Sequence, residues 1–384
     1  VGVLRVKRPA LRTCVWAGLA SLGLYDAAYI AQWALHGPMP PFGDFFGLWS
    51  FGKFGRNFGS LIYDPSALAA YQHALDPAVR GNFPYPYPPT FLLAVVPLGL
   101  LPLPVAYAVW IATTFIAYLR ATLGRNVMTI YGLGLLVAPT TLLTVTSGQN
   151  GLLSGALLAG GLNSLRARPV LGGVLLALLT YKPQFALLVP VILLAFGSIA
   201  AGLAFAGTCV ACVLITSLLF GWSIWPRWIA GFPAYQTLLR ANQDNLDHLM
   251  PTLMAGLHML GAPALAGLVL QAMLALGVAF LCWRTIRRGF TERAIAMSII
   301  GAFLVAPYAM IYDAPMFASA IALHWRSRLR GGATIGIWEV TLVIAAFGCL
   351  FDMVSAALPL LAPLLLLVTL IVISLSADTD DVLF

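Results

Sequence analysis

GPMPPFGDFFGLWSFGKFGRNFGSLIYDPSALAAYQHALDPAVRGNFPYPYPPT, residues 37–90, is the stretch on which the fold turns. It is rich in Gly, Pro and aromatic side chains and carries several charges, while most of the surrounding chain is apolar enough for lipid. It follows directly on a first hydrophobic run, residues 13–35. A long loop of this kind after a single apolar run predicts a chain that crosses the membrane once, builds a region at its surface, and then re-enters.

Composition agrees. Of 384 residues, 61% are hydrophobic and 9% are charged, and the mean hydropathy is +0.92. A soluble domain carries about 25% charged residues, so this chain has too little charge to cover a water-facing surface. The reading is an all-α polytopic membrane protein, since the short alternating strands of a membrane barrel are absent. The formal charge of +8 is not a nucleic-acid signature, because the basic residues fall in short segments between apolar runs, where they set orientation. Cys209 and Cys212 form a C-x-x-C inside an apolar run and lack the second ligand pair of a zinc site. They read as small apolar helix residues. No metal and no cofactor is expected.

Arg5, Lys7, Arg8 and Arg12 precede the first run, which places the N-terminus in the cytoplasm. Later basic clusters stand at Arg120/Arg125, Arg166/Arg168, Arg284–Arg293 and Arg326–Arg330. With all of them cytoplasmic, about twelve spans fit. One membrane domain then comprises a first span (13–35), an outer loop (36–103), central spans (104–220), a second outer loop (221–262) and C-terminal spans (263–376). The run FLLAVVPLGLL, 91–101, would invert everything after it if it crossed fully. Its proline-rich surroundings favour a re-entrant or interfacial segment.

This topology gathers the polar residues on the outer face. Asp44 stands between Gly43 and a Phe pair, in backbone that neighbouring Gly and Pro residues are expected to make irregular. A carboxylate there suits a general base, and partial burial would raise its pKa toward a useful range. Asp64 and Asp76, each before a proline, read as turn or helix-start residues. Lys182, in T-Y-K-P-Q, suits a lipid phosphate, with Arg56 and Arg240 as weaker partners. Gln149 and Asn150 in S-G-Q-N-G can hydrogen-bond sugar hydroxyls, or open a helix. Asp313, after A-P-Y-A-M-I-Y, can orient a substrate hydroxyl or cap the next helix. Tyr87, Tyr312 and His248 complete the expected substrate-binding set. His248 and His258 match no metal-site spacing.

The order of these motifs is itself informative: G-D-F, then F-P-Y-P-Y-P-P-T-F-L-L, S-G-Q-N-G-L-L-S-G, T-Y-K-P-Q and A-P-Y-A-M-I-Y-D. From about residue 40 to 320 the chain resembles glycosyltransferase family 87, whose members have the GT-C fold. The resemblance implies a polyprenyl-phosphate-mannose-dependent mannosyltransferase on the periplasmic face of a bacterial inner membrane. It also implies that Asp44 is the catalytic base, that the reaction inverts, and that the acceptor is a glycolipid or cell-envelope glycan. Near Asp313 the motif departs from mycobacterial members, which carry histidines there. The expected partners are the donor lipid, the acceptor and membrane lipids, with no nucleic acid. The competing reading is a polytopic transporter of a lipid-linked or small solute, to which broken helices and intramembrane acids are also suited.

Overall fold

A computed structural model describes residues 44–77, 83–125, 127–241, 243–330 and 358–375, with scattered positions between 20 and 31. The predicted first span falls mostly outside the described residues, and the predicted span at 335–351 falls wholly outside them. Every element among the described residues is helical.

The first surprise is α1, Phe45–Phe58, which occupies the heart of the stretch that Gly and Pro content marks as irregular. Each glycine inside a helix costs roughly 0.5–1 kcal/mol relative to alanine, so local propensity argues against it. Packing overrides propensity. A Cβ at Gly52 would overlap the Val95 carbonyl, and one at Gly55 would lie 2.8 Å from a Leu92 methyl. The glycines let α1 lie directly on the backbone of residues 92–100. Asp44 is therefore a helix N-cap, not a residue of an irregular loop. Asp64 caps α2, Pro65–Leu75, by accepting from the backbone of Ser66 and Ala67 at 3.0 and 3.1 Å. Asp76 is the C-cap of the same helix, and Pro77 after it lies in a turn.

Residues 89–101 form short helical turns broken at Pro97, with Leu92 and Val95 fully buried. The chain then runs into α3, Leu103–Leu123. After it come α4 (Pro139–Ser147) and α5 (Gly151–Ser164), then α6 (Pro169–Leu178), α7 (Val189–Phe196) and α8 (Ile199–Phe220). The second predicted outer loop contains α9, Ile224–Ala241, and α10, Leu253–Met259. The remainder is α11 (Ala264–Arg288), α12 (Glu292–Val305), α13 (Pro315–Arg330) and α14 (Leu361–Leu375).

Among the described residues, α3, α8 and α11 are long and apolar enough to cross a membrane. Shorter apolar helices cover 169–181, 183–196 and 361–375. The apolar run 127–146 is divided, with Pro139 opening a new helix after Ile130–Leu136, and Pro183 opens a new helix between the runs 169–181 and 184–197, because proline cannot continue the preceding helix. The long helices carry exposed Leu, Val, Ile and Phe side chains, such as Leu203, Leu218, Leu265, Leu276 and Phe280. An apolar exterior of this kind is solvated by lipid. α5 and α12 are buried on nearly all sides and form the centre. Gly155 and Gly161 on α5 admit the Tyr118 ring and the Leu176 side chain, the close approach that small residues permit in membrane bundles.

The two ends of α3 mark two chemically different faces. At its C-terminal end Arg326 donates to the Thr122 carbonyl at 3.4 Å and pairs with Glu292 at 2.7 Å, and Arg330 reaches the same carboxylate at 3.1 Å. Seven residues into α3 from the other end, the Trp110 indole donates to the Gln149 carbonyl at 3.4 Å. At 1.5 Å per residue that level lies roughly 18 Å from Thr122. The basic segments gather at one face and the polar residues singled out above gather toward the other.

Candidate active site

Gly148, with φ +67°, ends α4 in the left-handed conformation, and Asn150 opens α5. The turn between them aims Gln149 back at α1, where its Nε2 donates to Asp44 Oδ2 at 3.0 Å. A Cβ at Gly148 would overlap the Cβ of Phe45, so glycine is needed to seat this turn against the start of α1. Burial pushes the Asp44 carboxyl above its ordinary pKa, and the Gln149 bond partly opposes that rise.

Asn150 is fully buried but leaves the helix-capping role unused. Its Nδ2 donates to the Tyr87 hydroxyl at 2.9 Å. Gln149 Oε1 and Asn150 Oδ1 are both buried with no hydrogen-bond partner among the described residues. Buried polar atoms are normally paired, so two unpaired acceptors beside one carboxylate mark a place where hydroxyl donors would be welcome.

One turn along α5, Ser154 shares a 2.6 Å hydrogen bond with the Tyr181 hydroxyl, which also donates to the Asn150 carbonyl at 3.2 Å. Tyr181 precedes Lys182. The Lys182 ammonium forms an ion pair with Asp313, and both side chains are buried, at 4% and 1% exposure. Rings of Tyr312, Phe185 and Tyr181 surround the ammonium at 5.1, 5.8 and 6.0 Å. Asp313 does not cap the helix that follows it; its charge is spent on Lys182. Tyr312 is held from behind, its carbonyl accepting from Thr144 Oγ1 at 2.8 Å and lying against Gly151, where any Cβ would overlap it. Tyr87 and Tyr312 both lie within electrostatic reach of Asp44 and Asp313.

The structure therefore brings together Asp44, Tyr87, Gln149, Asn150, Lys182, Tyr312 and Asp313. It does not bring in Arg56, which is exposed in the last turn of α1, twelve residues and roughly 18 Å of helix from Asp44. The Arg240 side chain lies outside the described residues. His248 is half-buried beside Leu249, whose carbonyl accepts from the Ile311 amide at 2.8 Å, and so reaches the site only through that backbone link. Trp110, Ser154 and Tyr181 do not stand out in the sequence. Tyr181 had a signal, as the polar neighbour of Lys182 at a span end; Trp110 and Ser154 sit in apolar runs and had none. Among the described residues no cluster of three or more His, Cys, Asp and Glu could hold a metal ion.

Neither the search of curated proteins nor that of solved structures gives a match. A family model described as glycosyltransferase family 87 matches residues 85–311. The match begins at the Tyr-Pro-Tyr-Pro-Pro run, contains Tyr87, Gln149, Asn150 and Lys182, and stops one residue before Tyr312; Asp44 lies ahead of it. More than half of the chain is covered, the covered part carries most of the polar cluster just described, and a transporter is no longer the reading to prefer: the chain is a membrane protein that belongs to glycosyltransferase family 87.

Proposed function

We propose that this glycosyltransferase moves a hexose, mannose by resemblance, from a polyprenyl-phosphate donor to a glycolipid or cell-envelope glycan, with inversion. Asp44 is the general base. It removes the proton from an acceptor hydroxyl as that oxygen attacks the anomeric carbon from the face opposite the phosphate. The bond from that carbon to the phosphate oxygen breaks, and polyprenyl phosphate leaves with the electron pair. The observation that carries this reading is the Asp44–Gln149 hydrogen bond. It holds a partly buried carboxylate beside two unpaired amide oxygens suited to sugar hydroxyls.

Lys182 supplies positive charge for the departing phosphate, and Asp313 holds that ammonium in place until the donor arrives. The aromatic rings around Lys182 exclude water and so strengthen its field. Gln149 and Asn150 accept from hydroxyls of the transferred sugar, with Tyr87 and Tyr312 as walls. About twelve spans, with both termini and the basic face in the cytoplasm of a bacterial cell, put the Asp44 face in the periplasm. No nucleotide sugar is needed, because the lipid carries the activated sugar across.

The test is transfer by the purified chain in detergent. Radiolabelled polyprenyl-phosphate-mannose is supplied with a cell-envelope lipid extract, and label is expected to move to a new glycolipid. Label that stays on the donor at every acceptor concentration overturns the reading. Because detergent leaves no sealed compartment, transfer there also separates this activity from transport.

A further inference from the structure

A second aromatic feature lies apart from Asp44 and has no role in the chemistry above. Where the two predicted outer loops meet, α9 crosses the short helix 59–63, and Ser223 and Ser60 join them through a 3.1 Å hydroxyl contact. Gly231 on α9 lies close to Tyr63, with room for no more than ordinary contact at its Cβ position. Between the loops is a narrow crevice of about 30 Å³, or about 410 Å³ when the open space above it is included, lined by Tyr63, Pro84, Tyr85, Pro86, Trp228 and Tyr235 among others.

Its chemistry is specific. The walls are mainly aromatic rings and prolines, completed by Ile62 and Leu238, and no charged group lines it. Trp228 Nε1 is a buried donor without a partner among the described residues. Trp225, Trp228, Phe232 and Tyr235 recur at spacings of three and four, so they form one stripe along α9. Trp228 and Tyr235 of that stripe face the first loop, while Ile229 remains exposed elsewhere on the helix. Rings of this kind offer an apolar face and a polar edge. A pyranose is complementary, with a C–H face to lie on a ring and hydroxyls at its rim to meet an indole N–H.

Position decides which sugar. A row of ring contacts runs from the crevice into the active site: Tyr63 to Tyr85 at 5.5 Å, Tyr85 to Tyr87 at 5.7 Å, Tyr87 to Phe91 at 4.3 Å and Phe91 to Tyr181 at 4.7 Å. The crevice is at one end of this row and Lys182, next to Tyr181, is at the other. Tyr87, within electrostatic reach of Asp44, is between them. A donor held by its phosphate at Lys182 and a base near Tyr87 leave the crevice on the acceptor's side.

We infer that the Tyr63–Tyr85–Trp228–Tyr235 crevice binds a sugar residue of the glycan acceptor, one or more units from the hydroxyl that Asp44 deprotonates. This rests on the transferase reading above and adds to it a specificity site that reads the acceptor. Trp228 and Tyr235 belong to the binding of substrate and take no part in bond-making.

The full-length chain in detergent is tested in two arms. In the kinetic arm, Trp228→Leu is expected to raise the acceptor KM about tenfold and Trp228→Phe about threefold, with kcat and the donor KM unchanged. An unchanged acceptor KM in Trp228→Leu, or a rise in the donor KM instead, overturns the inference. In the binding arm, manno-, gluco- and galacto-trioses are titrated against parent and variant by saturation-transfer NMR. Contact by at least one trisaccharide, lost in Trp228→Leu and kept in Trp228→Phe, supports the crevice even if the parent transfers nothing, in which case only the transferase reading falls. Binding of none of them by the parent, or equal binding by Trp228→Leu, overturns the crevice whatever the transfer assay gives.

Discussion

Asp44 and Gln149 are separated by 105 residues of chain and joined by a 3.0 Å hydrogen bond from the amide to the carboxylate. The bond stabilises the ionised acid while burial opposes it, and burial is the larger effect. An Asp titrates near 3.9 when unperturbed, so the acidic limb of kcat/KM should lie above that value. Activity falls as pH drops through it, because the base becomes protonated. Gln149→Leu removes the stabilising donor and should move the limb further up in pH. A pH–rate profile measures both, and a limb that stays put or moves down in Gln149→Leu would detach this pair from catalysis.

Asp44→Asn should reduce transfer by about 10²–10⁴-fold, the usual contribution of a positioned base, and leave donor affinity intact. Its stability should not suffer. The folded-state pKa of Asp44 is raised, so the carboxyl's contribution to stability is complete below its unfolded pKa and is lost as pH rises through the folded one. At neutral pH the ionised side chain is a net cost that Asn removes. Thermal unfolding in detergent should give a midpoint equal to or above the parent's. A clear drop would assign Asp44 a structural duty instead.

Lys182 and Asp313 should behave as one unit. Removing either partner leaves a buried uncompensated charge, at a cost of about 3–5 kcal/mol. The double substitution Lys182→Met with Asp313→Leu should recover most of that loss, since apolar replacements of a buried pair are often neutral or better. It should not recover donor binding. Unfolding of the four proteins, paired with donor titration, separates the two effects; full donor affinity in the double variant would remove Lys182 from the phosphate site.

Two glycines offer a matched comparison. A Cβ at Gly151 overlaps the Tyr312 carbonyl, while at Gly124, with φ +66°, nothing lies within 4 Å. Gly124→Ala should therefore cost only the backbone strain of a positive φ, about 1–3 kcal/mol. Gly151→Ala should cost more and also depress activity, because it pushes Tyr312 and Asp313 away from α5. Equal stability losses with full activity in both would mean that the 311–313 segment docks elsewhere.

The central spans were legible because apolar runs and basic breaks are local signals. Helices at 103–123, 151–164, 199–220 and 264–288 begin and end within a few residues of the runs that predict them. α1 was not legible. Its glycines argue against a helix locally, and their purpose lies in the backbone of residues 92–100, which no window around Gly52 contains. The site divides the same way. Asp44, Gln149, Asn150 and Lys182 stand out as polar residues at the ends of apolar runs. Their partners do not: nothing around Lys182 names Asp313, and nothing around Asn150 names Tyr87. The sequence around Lys182 suits an open phosphate ligand, yet Lys182 already holds a counter-ion 131 residues further along the chain.

That separation also bears on how the protein is made. Synthesis delivers Lys182 to the membrane long before Asp313 exists. During that interval the ammonium, which lies between two helices, lacks the carboxylate it pairs with in the folded chain, and a lysine within the membrane carries a penalty of up to about 2.5–3.5 kcal/mol on insertion scales. The pair can close only after the segment that follows α12 has been made, because Asp313 lies beyond that helix. A chain cut short before Asp313 therefore keeps Lys182 without the carboxylate that neutralises it.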